Sequence, residues 1–521
     1  MQTSDLLNQF GTIVGAENLL TSETDRRFYG TDVYRSGELA AAVARPETTG
    51  EIQALVKLAS EHDMAIFVRG GGASYTDAYT PSRPNSLIID SGRLKSIEIN
   101  ETDMYVTVQP GVTWEELDDA LKPKGLRAPF WGPFSGIAAT IGGSVSQNSL
   151  SHGSGVYGCS AESVVSMDVV LANGDILTTG SASHQKTSSN FFRFTGPDVT
   201  ALFTGDAGTL GVKASITLRL IRRRQYQGAE SFSFETFDAM KDAMAEVARE
   251  GLADENFALD PALQQGQIAR QDSGAIFNTA WEVFKGSSNP VSGAVTLTKM
   301  AAAGRDFLKK GAYSCHFLVD GVGQGEVRAR ATVLREICMK YGVVIANTVP
   351  TVVRSMPFAP LFNILGPQGE RWVPVHGIMP YSVASDFHKA WVELVAREQA
   401  MMDKHGITLG GMFSTMSTNA FLYEIAFYWP DERSIYHNTV LPDDHLKSIP
   451  AYDQNLEARA YMDELKNKAV ALYGEFGAVH FQIGKAYPFL STRKQEAATV
   501  LKQLKTNFDP RNVMNPGALG F

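Results

Sequence analysis

Residues 65–86 read AIFVRGGGASYTDAYTPSRPNS, and the fold turns on the residues after the three glycines. Ala65-Ile66-Phe67-Val68 is a short apolar run of the kind a buried strand shows, and it feeds straight into Arg69-Gly70-Gly71-Gly72-Ala73-Ser74. Glycine tolerates positive φ and leaves its amide uncovered, so such a turn can wrap an anion. A dinucleotide-binding βαβ unit would need a helix next, and Pro81 and Pro84 forbid it. The stretch predicts an anion-cradling turn outside a Rossmann fold.

Upstream, Thr48 and Glu51 have capping-box spacing, and Ile52, Leu55, Val56 and Ala59 share one helical face, so a helix leads into this strand. Downstream, Tyr105, Thr107 and Gln109 alternate with Val106 and Val108, Pro110-Gly111 turns the chain, and Thr113 to Glu116 opens a helix. MDVVLANGDILTT, 167–179, reads as two strands joined at Asn173-Gly174, and ITLRLI, 216–221, as a closing strand. From 224 to 465, helical stretches such as FDAMKDAMAEVARE alternate with strand-like ones such as AYSCHFLVDG, which reads as a second α+β unit. Residues 466–521 hold the helix RKQEAATVLKQLKTNF and a turn-rich end, DPRNVMNPGALGF, expected to pack back on the first unit.

The net charge of −9 argues against nucleic acid or an anionic membrane surface as partner, since both reward a concentrated positive face. The opening residues lack a basic segment followed by an apolar one, and no run approaches about 18 apolar residues, so the chain is read as cytoplasmic. Cys159, Cys315 and Cys338 are far apart and form no CxxC pair, which predicts neither a disulfide framework nor a zinc site.

GSGVYG, 153–158, formally matches GxGxxG, but the preceding GGSVSQNSLSH is no apolar strand and no long helix comes after it. Walker A, HExxH and GxSxG patterns are absent. Two glycine- and serine-rich stretches remain, 69–74 and 131–158, whose amides and hydroxyls, Ser74 and Ser144 among them, suit a pyrophosphate and a ring system. Two purely structural loops are the plain alternative.

A third stretch, GDAGTLGV at 205–212, precedes the closing strand. In order and spacing these stretches, with the terminal DPRNVMNPG, resemble the FAD-binding domain of the vanillyl-alcohol oxidase and para-cresol methylhydroxylase (PCMH) flavoproteins, over roughly residues 37–223 and the tail. The resemblance implies an α+β fold: a PCMH-type FAD-binding domain over 1–223, a cap over 224–465 and a segment, 466–521, returning to the first domain. It implies FAD, with Arg69, Gly70, Gly71, Gly72, Ala73, Ser74 and Tyr75 around the pyrophosphate. Gly143, Ser144, Asn148, Gly153 and Gly155 would lie along the ribityl chain and ring, Val212 would meet the cofactor through its backbone, and Asn515 would stand near the flavin edge. Several members bond the flavin covalently through a histidine of the first turn; Ala73 stands there in this chain, which excludes that link. Others use a cap histidine, and His376 in RWVPVHGIMP occupies the corresponding region, so covalent attachment through His376 and dissociable FAD both stay open.

The substrate side divides the family. The D-lactate and 2-hydroxy-acid branch carries an HxGDGN metal motif, where this chain has GGMFSTMSTNAFLYEIAFYWPD, 410–431, so no metal is expected. The para-alkylphenol branch holds its substrate as phenolate through a late tyrosine and arginine. GAVHFQIGKAYPFLSTR, 477–493, resembles that segment, with Tyr487 on the tyrosine position and Pro488 where the arginine would be. Lys485, His480 or Arg371 could supply the lost positive charge, and His376 or His480 a base; alternatively Tyr487 is core and Lys485 solvated. The resemblance thus implies an FAD-dependent oxidoreductase that oxidises a phenolic or aryl alcohol by hydride transfer to flavin N5, with oxygen or an electron carrier as acceptor and a homodimer as assembly. A metal-independent 2-hydroxy-acid dehydrogenase and a flavin-binding protein without turnover are the alternatives.

Overall fold

The computed structural model describes residues 3–187, 189–264 and 312–521. Strands β1 (Leu19–Leu20), β2 (Ala42–Ala44), β3 (Ile66–Arg69) and β4 (Leu87–Asp90) form a sheet in the order β1-β2-β4-β3. β4 runs parallel to both β2 and β3. The helix Thr49–Glu61 makes the crossover between β2 and β3, buries Ile52, Leu55, Val56 and Ala59, and is capped by the Thr48 hydroxyl, which accepts from the Glu51 amide. The glycine turn therefore starts at the carboxyl end of an edge strand.

Strands β5 (Ile97–Asn100), β6 (Tyr105–Val108), β7 (Leu126–Arg127), β8 (Val164–Val170), β9 (Ile176–Thr178), β10 (Val212–Arg219) and β11 (Ile221–Arg222) come next. Five of them make an antiparallel sheet in the order β5-β6-β10-β8-β9, while β7 pairs with β11. Both expected local devices are present: the Thr113–Glu116 capping box is closed in both directions, and β8 and β9 are joined through Asn173-Gly174, with Gly174 at φ 86°. The 153–158 motif sits on a four-residue helix, Ser154–Tyr157, too short for a dinucleotide-binding crossover.

The third sheet has seven strands: β12 (Tyr226–Phe234), β13 (Glu255–Leu259), β14 (Tyr313–Gly321), β15 (Val343–Val344), β16 (Arg371–Met379), β17 (Thr408–Met416) and β18 (Ala420–Trp429), in the order β15-β12-β14-β13-β17-β18-β16. Side chains alternate across it. Phe413, Tyr423, Ile425, Phe427, Val373 and Val375 point to one face, where the helices Phe237–Arg249, Tyr381–His405 and Leu456–Glu475 complete the largest core. Their neighbours in sequence point to the other face, toward the glycine turns.

Two features escape sequence patterning. An amphipathic helix, Thr3–Val14, lays Leu6, Phe10 and Val14 on the first core, and the tail adds to the first sheet, with the Ile66 amide donating to Val513 at 2.7 Å and the Asn515 amide donating to Ile66 at 2.8 Å. Among the described residues no helix is long and apolar enough to cross a membrane.

Phe317 on β14 is fully buried and meets Phe232 edge to face at 6.2 Å. Phe317→Ala should cost about 3–5 kcal/mol of stability through the cavity it leaves, read as an earlier denaturation midpoint by circular dichroism.

Candidate active site

A cavity of about 670 Å³ lies between the glycine turns and the open face of the seven-stranded sheet. Its narrow end is built by close backbone approach. A Cβ on Gly71 would overlap the Ala138 carbonyl oxygen, and one on Gly142 the ring of Pro110, so the turn and the loop before the helix Ile141–Gln147 fit together only as glycines. Gly72 also takes φ +73°. Among the described residues the amides of Gly71, Gly72, Ala73 and Ser74 meet no acceptor. Ser144 accepts from the indole of Trp114 at 2.8 Å, which leaves its own proton to donate. Ala207, Gly208, Gly211 and Val212 close the opposite wall. Uncovered amides and a free hydroxyl beside a flat apolar slot are the donor set that a pyrophosphate joined to a ring system requires.

Of the residues expected at a cofactor, Gly70, Gly71, Gly72, Ala73, Ser74, Tyr75, Gly143, Ser144 and Val212 line the cavity. Arg69, Asn148, Gly153, Gly155 and Asn515 do not line it. The Arg69 guanidinium is buried behind the turn, 3.6 Å from Asp90 and enclosed by the rings of Phe28, Tyr29 and Tyr79. Asn148 ends its helix at φ 54° and accepts from the Ala161 amide. Gly153 packs on the Pro129 carbonyl, and Gly155 on that of Asp254. Asn515 donates to the carbonyls of Ala78 at 2.7 Å and Ala207 at 2.5 Å, tying two cavity segments together from outside.

None of the five expected catalytic side chains lines the cavity. Tyr487 is core: its hydroxyl accepts from the His376 amide at 3.2 Å and its ring stacks on His480 at 4.1 Å. His480 donates to the His376 carbonyl at 2.7 Å. Arg371 spends its guanidinium on the carbonyls of Tyr34 at 3.0 Å and Val33 at 3.4 Å, over the ring of Trp429. Lys485 is half-buried, donates to the carbonyls of Asp77 at 2.8 Å and Thr80 at 3.0 Å, and is pushed down to about 8 by desolvation. It holds the loop beneath the glycine turn.

His376 comes nearest. It is fully buried, neither ring nitrogen has a hydrogen-bond partner among the described residues, and burial drives its pKa well below the usual range, so the ring is neutral. Phe481 stacks on it at 3.8 Å and Tyr75 meets it edge-on at 6.1 Å. Both of those rings line the cavity, and His376 stands one ring removed from it.

The residue that sequence reasoning missed is Glu424. Antiparallel register sets Met412, Glu424 and His376 side by side in one row across β17, β18 and β16. Leu422, Glu424, Ala426 and Tyr428 share the cavity face, so one carboxylate interrupts an apolar row. Burial among these side chains pushes its carboxyl up to about 7. The signal was a single acid in FLYEIAFYW, a strand otherwise apolar. Phe257, Trp372 and Tyr436 extend the wall, and Val349, Val352, Leu361, Ile364 and Leu365 make its far end aliphatic. The ionisable lining groups are Glu424, Glu255, His152 and Lys213, and Lys213 is already paired with Asp206. Among the described residues no three His, Cys, Asp or Glu side chains come together as a metal site.

Residues 40–180 match the FAD binding domain family, and FAD is the cofactor of this chain. The glycolate oxidase subunit GlcD of Bacillus subtilis is 30% identical over 250 residues, which are 47% of this chain and 51% of that protein. The mitochondrial cytochrome-dependent D-lactate dehydrogenase of Arabidopsis thaliana is 32% identical over 248 residues, 47% of this chain and 41% of that one. The chain thus spans about half the length of the curated relatives it matches. A structure of p-cresol methylhydroxylase with substrate bound superposes with a TM-score of 0.73 at 17% identity, covering 99% of this chain and 96% of that one. The fold is therefore the α+β, PCMH-type FAD-binding fold.

Gly71→Ala should force the turn off the Ala138 carbonyl and weaken FAD retention at least about tenfold, the effect of ~1.4 kcal/mol of lost contact. Flavin absorbance after gel filtration, at unchanged far-ultraviolet dichroism, measures it.

Proposed function

We propose that this chain is an FAD-dependent oxidoreductase that oxidises an uncharged, apolar alcohol, aryl and phenolic alcohols foremost, with Glu424 as the proton acceptor. The observation that carries this reading is the Glu424 carboxyl on the aromatic face of the cavity, its pKa raised to about 7, whereas the other lining carboxylate, Glu255, is paired with Arg354 and held ionised. Bound flavin supplies a hydride acceptor. Glu424 receives the hydroxyl proton, and a carboxylate whose pKa lies near the working pH is well matched to that task. Phe257, Trp372, Met412 and Tyr428 keep water from the reacting hydroxyl and bind the substrate's apolar body. A fixed phenolate finds no support in this geometry, because Tyr487 and Arg371 are committed elsewhere. Oxygen or an electron carrier would be the final acceptor of the electrons that bound flavin takes up.

The named relatives favour a second reading, a 2-hydroxy-acid dehydrogenase. Against it, a substrate carboxylate would face Glu424 with no arginine among the described lining residues. Anaerobic bleaching of the flavin by a substrate panel decides between them. Aryl alcohols should bleach it faster than D-lactate or glycolate, with no effect of chelators; the reverse order would establish the second reading, and bleaching by neither class would leave a binding protein without turnover.

Glu424→Gln should lower kcat/KM by about 10²–10⁴ with FAD content unchanged. Because the acid cannot accept a proton below its pKa, the bleaching rate of the native chain should climb with pH and level off above about 7. That limb should vanish in the variant.

A further inference from the structure

His152 lies in the wall of the cavity, almost wholly buried, on the glycine- and serine-rich loop of the FAD-binding domain. Its Nε2 is 2.8 Å from the carbonyl oxygen of Pro357, and its Nδ1 is 3.1 Å from Oε2 of Glu255. Neither partner brings a proton. A carbonyl only accepts, and Glu255 is held ionised, down to about 2, by Arg354 at 3.3 Å together with His152 and Arg127. A neutral imidazole carries one N–H and can satisfy one of the two; only the imidazolium donates to both.

Among the described residues no other donor bonds the Pro357 carbonyl, and the Nε atoms of Arg354 and Arg223 are buried without a partner of their own. Arg354 also binds Asp320 at 3.2 Å, Arg127 lies 3.9 Å from Asp320, Arg330 binds Asp254 at 3.0 Å, and Arg223 lies over the ring of Trp131. The imidazole itself is enclosed by Trp131 at 4.8 Å and Phe134 at 4.7 Å, faces that favour a cation. When the ring loses its proton, the charge-assisted bond to Glu255 is the stronger one and survives. The bond to Pro357 is the one lost, and a nitrogen lone pair then faces a carbonyl oxygen.

Pro357 opens the segment 357–367, from which Ala359, Leu361, Asn363, Ile364, Leu365 and Pro367 form the aliphatic end of the cavity. Its other fastenings to the FAD-binding domain include the Ala359 amide on the Phe134 carbonyl at 2.8 Å, the Phe358 ring against Gly132, Gly136 and Trp131, and the apolar packing of Leu361, Phe362 and Ile364 with Val33 and Phe28, none of which titrates. We propose that His152 is a positioning residue that fastens this wall fully only when protonated, so the substrate end of the cavity tightens as His152 gains its proton and loosens as it loses it.

The test is hydrogen exchange by mass spectrometry on the FAD-loaded full chain, corrected for intrinsic rates, between about pH 5.5 and 8.5, the range in which histidine titrates. It needs no substrate, so it stands or falls apart from the proposed reaction. Protection of the amides in 358–365 should fall about tenfold with rising pH, a local opening of ~1.4 kcal/mol. The midpoint should coincide with the titration of His152 followed by exchange of its C2 proton, while 97–108 stays constant. His152→Gln should show low, pH-independent protection in 358–365. Flat protection in the native chain, a midpoint apart from that of His152, a step shared with 97–108, or an unchanged step in the variant each overturns the proposal. If the variant does not fold, the coincidence of midpoints in the native chain decides.

Discussion

Everything at this site depends on how closely two backbones approach each other. The turn after β3 and the loop before the helix Ile141–Gln147 touch where any side chain on Gly71 would overlap a carbonyl oxygen. Beside that contact four successive residues, Gly71 to Ser74, line the cavity with amides that meet no acceptor among the described residues. Arg69 supports the turn from behind, buried among three rings and beside Asp90. Lys485 does the same for the next loop, its ammonium shared among main-chain carbonyls. Both cations are structural because a glycine turn has no side chains with which to hold itself.

The opposite wall obeys a different logic. A sheet face is set by strand register, and one residue of slip would turn Glu424 into the core and Tyr423 into the cavity. The register is secured by pairing along the full length of β16, β17 and β18 and by the aromatic core on the helix side. Glu424 therefore sits where desolvation raises its pKa, and it stays in reach of a ligand. His376, its cross-strand neighbour, is neutral and has no hydrogen-bond partner among the described residues. In this row of thioether, carboxyl and uncharged imidazole, Glu424 is the group whose charge can change near neutral pH.

Local signals were legible wherever the physics is local. Glycine runs, the capping boxes at Thr48 and Thr113 and the hairpin at Asn173-Gly174 depend on a few consecutive residues, and the structure has each of them. Nine of the residues expected at a cofactor line the cavity, most of them in those glycine runs. Whether Tyr487, His480 or Arg371 reaches a ligand depends on what stands in front of it, which no local pattern carries, and Phe481 and Tyr75 stand in front of His376. Glu424 was missed because an acid in an apolar strand gains meaning only once the partner strands are known. The tail's pairing with Ile66 and the helix Thr3–Val14 lie equally beyond periodicity.

β3 is the edge of its sheet, and the main-chain groups of Ile66 on its outer side are satisfied by Val513 and Asn515, which lie more than four hundred residues further along the chain. During synthesis that edge stays open until residues 513–515 have emerged. An open edge is a template for pairing with other chains. Asn515 also ties Ala78 to Ala207, so the same late residue that closes this edge joins two segments of the cavity wall.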